Sequence, residues 1–121
     1  MAEIFVARAD DMADGDRRIV RTNKGEIGVF RHKGAFHAYA NRCVHSGGPA
    51  CEGVLIPKVI ELIAEDKTYQ GQTFSEDEMH FVCPWHGYEY NIETGVFAGD
   101  SKLKLKKYQI VERSGDVYIV A

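Results

Sequence analysis

Two short pairs of metal-binding side chains stand out in the sequence. Cys43 and His45 form a Cys-x-His step, and Cys83 and His86 form a Cys-x-x-His step far downstream. One thiolate and one imidazole from each of two loops suit either a tetrahedral zinc ion or a diiron cluster in which two histidines replace two cysteines on one iron. Because a zinc finger usually pairs like ligands on each turn, the mixed pairs favour the diiron cluster.

The residues around these pairs resemble those of a known family. Cys-x-His followed by Cys-Pro-Trp-His-Gly at residues 83–87 resembles Rieske-type 2Fe-2S proteins, and the similarity continues through 88–91 and 93–95. The resemblance implies one 2Fe-2S cluster per chain, with the two cysteines on the shielded iron and the two histidines on the solvent-facing iron. The four implied metal ligands are Cys43, His45, Cys83 and His86.

Short strands and turns alternate along the chain and predict an all-β fold. Turn signals occur at Asn23-Lys24-Gly25, at Lys33-Gly34 and at Ser114-Gly115-Asp116, each between apolar runs. A length of 121 residues suits one domain, residues 1–121. With the resemblance, we expect an antiparallel Rieske-like β-sandwich with a small cluster-binding subdomain of two loops and an extended inserted hairpin.

The segment between the two ligand pairs is longer than in the compact ferredoxins that this chain resembles. The excess lies in residues 54–80, where Val54–Ala64 and Phe74–Val82 read as the two strands of an extended hairpin. Its charges are mainly acidic. It is therefore interpreted either as a docking arm for a partner or as a solvated hairpin.

Composition excludes several classes of function. A net charge of −3 and a pI near 5.9 argue against binding to the phosphate backbone of nucleic acids. No apolar run approaches the ~20 residues of a membrane span, and residues 1–8 lack the pattern of an export signal. We therefore expect a cytoplasmic protein with no membrane or nucleic-acid partner. The third cysteine, Cys51, fits a reducing compartment and reads as a buried apolar side chain.

The resemblance implies electron transfer and not catalysis. By that likeness the chain is a Rieske-type ferredoxin, the electron-transfer component of an oxygenase system. It would carry single electrons from an NAD(P)H-dependent flavin reductase to a terminal oxygenase, such as a dioxygenase of aromatic hydrocarbon catabolism. Both partners would dock transiently at the tip that carries His45 and His86. Two alternatives remain open: the small subunit of a nitrite-reductase-like complex, and an interaction domain held by a Cys/His zinc site.

Residues near the ligands bear on the reduction potential. Two histidine ligands place it at roughly −150 to +300 mV, against ~−400 mV for an all-cysteine plant-type cluster. Respiratory Rieske proteins resemble this chain but have a serine where Tyr88 stands and a disulfide where Gly48 and Trp85 stand, so we predict the lower part of the range. Tyr90 takes the place of a hydroxyl that donates to the Cys83 sulfur and raises the potential modestly.

Other features have competing interpretations. Trp85 is either a lid over the cluster or a packing residue. His32, His37 and His80 have no neighbouring cysteine and are interpreted as ordinary surface or strand residues. The alternation of lysine and leucine at 102–106 predicts a basic strip, suited either to an acidic partner or to guarding a sheet edge.

Overall fold

The described part of the chain contains nine strands, and all of their pairings are antiparallel. The computed structural model describes residues 2–44, 47–63, 69–85 and 87–121, and for 59–63 and 69–77 it describes the backbone only. The strands are β1 (Glu3–Arg8), β2 (Arg17–Thr22), β3 (Gly25–His32), β4 (Ala35–Ala40), β5 (Leu55–Ile63), β6 (Tyr69–Val82), β7 (Glu89–Asn91), β8 (Lys107–Arg113) and β9 (Asp116–Val120). A single 3-10 turn, Ala9–Asp11, follows β1 within these ranges. No helix in the described ranges is long and apolar enough to cross a membrane.

The strands form two sheets. A six-stranded sheet has the order β1-β9-β8-β4-β3-β2, and a three-stranded sheet has the order β5-β6-β7. Two of the tight turns use adjacent residues with positive φ: Lys33-Gly34 at 50° and 80°, and Ser114-Gly115 at 53° and 81°. Such turns match the right-handed twist of the strands they join, which is why glycine occupies the second position. The predicted antiparallel Rieske-like β-sandwich is confirmed.

The predicted hairpin in the insertion is also confirmed. β5 and β6 pair from Leu55↔Phe81 to Ile63↔Tyr69, and the return strand therefore begins earlier than the Phe74 predicted from the sequence. Of the residues expected at its far end, 65–67 lie outside the described residues, whereas 70–72 belong to β6. β6 continues into pairing with β7, so the base of the hairpin belongs to the same small sheet as the strand that follows the second ligand pair.

The lysine-rich segment at 102–106 does not form the sheet edge that was one interpretation of its sequence. It contains one isolated bridge, Val96↔Lys104, and β8 begins only at Lys107. β8 lies between β4 and β9, so it is an inner strand of the sheet. Leu105 is buried whereas Leu103 is 42% exposed, because the segment turns instead of running as a flat strand. The interpretation of these lysines as guards of an edge is therefore wrong.

Two groups of buried side chains form the core. The sheet core lies within the six-stranded sheet and consists of Ile27, Val29, Ala38, Tyr108 and Ile119. The loop-side core joins the two sheets and consists of Phe30, Tyr39, Cys43, Ala50, Cys51, Phe81, Cys83, Tyr90, Ile92 and Leu105. Phe81 is its centre, because its ring stacks on Phe30 at 4.7 Å and on Tyr39 and Tyr90 at 5.5 Å each. The loop-side core thus holds both cysteines of the predicted site.

Candidate metal centre

Cys43 lies in the first loop, residues 41–54, which connects β4 to β5. Its backbone N–H donates to the Gly48 carbonyl at 2.8 Å, and its own carbonyl accepts from Gly47 N–H at 3.0 Å. Gly47 has a φ of 74°, a conformation that costs glycine little. These bonds close a tight turn in which Cys43 is buried, whereas Val44, the next residue, is exposed.

The end of the first loop is fixed by side chains from distant strands. Arg17, on β2, donates from Nη1 to the carbonyl of Cys51 at 2.7 Å and also to the carbonyl of Gly53. Asn41 accepts a hydrogen bond from Cys51 N–H at 2.8 Å and donates to Glu52 at 2.8 Å. The guanidinium of Arg17 thus satisfies loop carbonyls and the amide oxygen of Asn41 satisfies a loop N–H, none of which a strand pairs.

Cys83 lies in the second loop, residues 83–88, which connects β6 to β7. Its N–H donates to the Tyr88 carbonyl at 2.8 Å, and its carbonyl accepts from Gly87 N–H at 2.9 Å. Gly87 has a φ of 73°. The pattern repeats that of the first loop: a buried cysteine at the base of a turn closed by backbone hydrogen bonds.

Two glycines let the loops approach one another. A Cβ at Gly48 would lie 2.6 Å from the indole of Trp85, so the ring of the second loop rests on the backbone of the first. A Cβ at Gly53 would lie 1.7 Å from the carbonyl oxygen of Val82, which directly precedes Cys83. Any side chain at either position would push the loops apart. Trp85 therefore has the packing role, and its role as a lid stays a prediction.

Tyr90 contacts the cysteine of the first loop. Its hydroxyl oxygen lies 2.9 Å from Cys43 Sγ and accepts a hydrogen bond from Val44 N–H at 3.1 Å. Since the oxygen already accepts from the backbone, its proton is available to the sulfur. Burial raises the pKa of Tyr90, and the neighbouring Cys43 raises it further, so the hydroxyl stays a donor. The sequence interpretation named the Cys83 sulfur as acceptor; the structure puts the hydroxyl at Cys43.

The chemistry of this donor set fits the thiolate half of a 2Fe-2S site. Cys43 and Cys83 are both free thiols, both buried and both part of the loop-side core. Tyr90 belongs to the same buried cluster, so the two loops bring both cysteines to one part of the core. His45 and His86 lie outside the described residues, and their assignment as ligands stays a prediction from the sequence.

Comparison with known proteins decides the family. Residues 2–109 match the family model of the Rieske 2Fe-2S domain. The chain belongs to this family. A Rieske domain binds a 2Fe-2S cluster, and this chain binds one in place of the zinc ion that the ligand types alone left open.

The relatives within the Rieske family differ in length. The chain is 33% identical over 94 residues to the human "Rieske domain-containing protein", covering 78% of this chain and 49% of that one. It is 28% identical over 116 residues to ferredoxin CarAc of Metapseudomonas resinovorans, covering 94% and 89%. The chain thus spans about half of the human relative and most of the ferredoxin.

A solved structure shares the fold. It is described as the complex of reduced oxygenase and oxidized ferredoxin in carbazole 1,9a-dioxygenase, and one of its chains aligns with a TM-score of 0.69 at 24% identity. The alignment covers 97% of this chain and 91% of that chain. At this identity the likeness establishes the Rieske fold.

Cys51 is a core residue, as predicted. Its side chain is fully buried, and burial raises the pKa of its thiol to about 12. A Cβ on Gly28 would lie 2.3 Å from the Cys51 Cβ, so the thiol fills the space that the glycine leaves. Its Sγ lies 3.8 Å from the carbonyls of Tyr39 and Ala40, where it acts as a weak donor.

His80 is a strand residue, as predicted, but its surroundings are not ordinary. It is 2% exposed on β6, with Nδ1 2.9 Å from a carboxylate oxygen of Glu89 and Nε2 2.5 Å from one of Glu78. The Glu78 carboxylate also lies 3.9 Å from Lys58 Nζ. The group links β6 to β7 just beyond the second loop.

Sequence reasoning missed the residues that hold the loops in place. Arg17 reaches carbonyls 34 and 36 positions away, and nothing in its local sequence signals this. Asn41 carried a weak signal, because asparagine beside a strand end commonly bonds to neighbouring backbone. Gly53 gave none, since a glycine in a loop usually marks only a turn.

Proposed function

We propose that this Rieske domain is a ferredoxin-type carrier that moves single electrons between two protein partners and catalyses no bond-making step of its own. The bound 2Fe-2S cluster supplies a one-electron couple. The observation that carries the proposal is the enclosure of both cysteines in the loop-side core, together with the family match over residues 2–109. Ferredoxin CarAc, which this chain covers over 89% of its length, is named as a ferredoxin.

The chain's own residues suit a carrier. The buried thiols, with Tyr90 as a donor to Cys43, hold the sulfur side away from water. Val44 and Trp85, each next to a predicted histidine ligand, are 42% and 60% exposed. Exposed apolar side chains beside a redox centre mark a contact site for a partner, and two such side chains make a patch far smaller than a permanent interface buries.

The partners that we propose follow from the ferredoxin assignment. One is a flavin-dependent reductase that draws electrons from NAD(P)H, and the other is a terminal oxygenase, here of aromatic-compound degradation in the cytoplasm. Both would dock in turn at the tip formed by His45 and His86, beside Val44 and Trp85. The oxygenase–ferredoxin complex of carbazole 1,9a-dioxygenase supplies the precedent for the second partner.

The ligand assignment is tested by removing one ligand at a time. Cys43→Ser, Cys83→Ser, His45→Ala and His86→Ala should each abolish the reduced-state electron paramagnetic resonance signal and lower the iron and sulfide content. Cys51→Ser is the matched control and should keep both. A histidine variant that retained an unchanged signal would remove that histidine from the site.

The carrier role is tested with the purified holoprotein. Reductive titration should consume one electron per chain, and the reduced protein should pass that electron to an added oxidant and return to its starting spectrum. Purified protein without iron and sulfide, or a titration that is not reversible, would contradict the role. Replacement of ferredoxin CarAc by this chain in a reconstituted carbazole 1,9a-dioxygenase then measures whether an oxygenase accepts it as donor.

A further inference from the structure

A continuous basic surface leads to the first loop. Lys24 lines one shallow depression with Arg42 and Gly47, and a second with Lys106 and Lys107. Lys104 joins Lys106 and Lys107 in lining a third. We name this surface the basic band, and its members are Lys24, Arg42, Lys104, Lys106 and Lys107. Arg42 directly precedes Cys43, so the band ends at the predicted cluster.

The positive charge of the band is not neutralised by ion pairs. Within the described ranges, no carboxylate lies within ion-pair distance of any of its members. Lys106 Nζ lies over the Tyr108 ring at 5.0 Å, and Lys107 Nζ donates to the backbone carbonyl of Glu93 at 3.1 Å. Neither contact removes the charge.

Two carboxylates close to the band lie within ion-pair distance of other side chains. Glu26 lies 3.3 Å from Arg21 Nε, although it lines the same depression as Lys24. The Glu93 carboxylate lies 3.6 Å from His32 Nε2, which is charged only when the ring is protonated. The chain carries a net charge of −3, so the band has the opposite sign to the protein as a whole.

Simple solvation does not account for this arrangement. A solvated sheet face usually mixes charges of both signs. Protection of a sheet edge does not account for Lys104 and Lys106 either, because neither lies in a strand. An excess of positive charge beside a redox loop instead steers and orients a charged partner during encounter.

We propose that the basic band is a docking surface for the acidic face of a protein redox partner, which it orients over the first loop. The proposal rests on the carrier function above. A net negative chain repels an acidic partner from most directions and attracts it along the band, so encounter is selected beside Cys43. A protein is favoured over nucleic acid because the carrier function needs a partner that donates or accepts an electron.

The experiment follows the oxidation of reduced holoprotein by two oxidants of opposite charge. One electron leaves the protein and converts hexacyanoferrate(III) to hexacyanoferrate(II), or tris(phenanthroline)cobalt(III) to its cobalt(II) form. At low salt the double variant Lys104→Glu/Lys106→Glu should react about tenfold more slowly with the anion and faster with the cation. Added salt should remove most of the difference.

The matched control is Arg8→Glu/Arg18→Glu, which changes the net charge equally. Arg8 pairs with Asp116 and Arg18 donates to the Asp11 carbonyl, so both lie away from the band. A fall in rate with hexacyanoferrate(III) that is equal in the two variants would overturn the band as a directed surface. Unchanged thermal stability and resonance signals would establish that both variants are folded and loaded.

The class of partner is tested with three polyanions at physiological salt. Poly-L-glutamate, as a probe for an acidic protein face, should slow oxidation of the unmodified protein and leave the band variant unaffected. Tighter binding of duplex DNA or of phosphatidylserine vesicles would overturn the assignment to a protein. Reversible electron transfer at rates independent of salt would overturn the docking role of the band and leave the carrier function standing. Loss of reversible reduction would overturn the carrier function itself.

Discussion

Tyr90 presents its hydroxyl to Cys43 Sγ at 2.9 Å, while Val44 N–H donates to the same oxygen. A donor to a thiolate ligand stabilises the more negative, reduced state of the site and so raises the reduction potential. Tyr90→Phe should therefore lower the midpoint. If the bond favours the reduced state by ~1 kcal/mol, the shift is about 40 mV, because 59 mV corresponds to 1.4 kcal/mol for one electron.

Protein-film voltammetry measures this shift directly. Tyr118→Phe is the control, because Tyr118 lies on β9, packs against Phe5 and has no contact with either cysteine among the described interactions. An unchanged midpoint in Tyr90→Phe would mean that the hydroxyl does not act on the sulfur.

The absolute midpoint is a second prediction. Where respiratory Rieske proteins have a disulfide between the two loops, this chain has Gly48 with the indole of Trp85 resting on it. Packing takes the place of the covalent link, and the serine hydroxyl expected at Tyr88 is missing. We expect a midpoint below roughly +100 mV within the Rieske range, measured by redox titration. A value well above this boundary would contradict the prediction of a low-potential cluster.

Gly53→Ala should separate the two loops. Its Cβ would lie 1.7 Å from the Val82 carbonyl oxygen, and backbone cannot move aside as a flexible side chain can. The destabilisation should be at least about 3 kcal/mol, with faster loss of visible circular dichroism on heating. Gly34→Ala is the control, because Gly34 has a φ of 80° and no atom within 4 Å of its Cβ position. That variant should cost only ~1 kcal/mol.

The surroundings of His37 lead us to expect that the folded protein loses stability in acid. Burial lowers the pKa of His37, and the positive charge of Lys107 lowers it further. The unfolded chain therefore takes up a proton at this position at higher pH than the folded protein does. The free energy of unfolding is unaffected by this group above pH ~6.5 and decreases as the pH falls below it. His37→Asn should lose less thermal stability than the unmodified protein between pH 8 and pH 5.5, and an identical loss in both would contradict the prediction.

Most of the fold is predictable from the sequence, because the turn residues and the pattern of apolar residues indicate the same strands. The turns at Lys33-Gly34 and Ser114-Gly115 occur as predicted, and the alternating apolar residues beside them enter the core. The lysine-rich segment at 102–106 alternates just as regularly, yet it is not a strand. Its alternation reflects Leu105 entering the core from a turn, and periodicity alone does not distinguish the two cases.

The candidate site is predictable where chemistry fixes the residue type. The spacing from a following histidine singles out Cys43 and Cys83 as predicted ligands, and the structure places both in the loop-side core. Their supports are not predictable from spacing, because a guanidinium that bonds to loop carbonyls can come from any strand that passes nearby. Arg17 is such a case, and the exchange of the Tyr90 acceptor from Cys83 to Cys43 is another. Both depend on how the loops lie in space.

His80 provides the last prediction. Its two ring nitrogens face the carboxylates of Glu78 and Glu89 at 2.5 and 2.9 Å, and its side chain is 3% exposed. His80→Leu removes both ring contacts and leaves two carboxylates, each about two-thirds buried, next to an apolar side chain. The variant should lose about 1–3 kcal/mol of stability and release iron faster on heating, since Glu89 begins the strand after the second loop.

A double-mutant cycle separates this coupling from simple loss of packing. Adding Glu78→Gln and Glu89→Gln to His80→Leu replaces the two carboxylates by neutral amides and should recover part of the loss, because an apolar replacement is costly mainly when its former partners stay charged. The two glutamine substitutions alone, with His80 present, should each destabilise the protein. If His80→Leu is as stable as the unmodified protein, or if the glutamines recover nothing, the Glu78–His80–Glu89 group does not secure the base of the second loop.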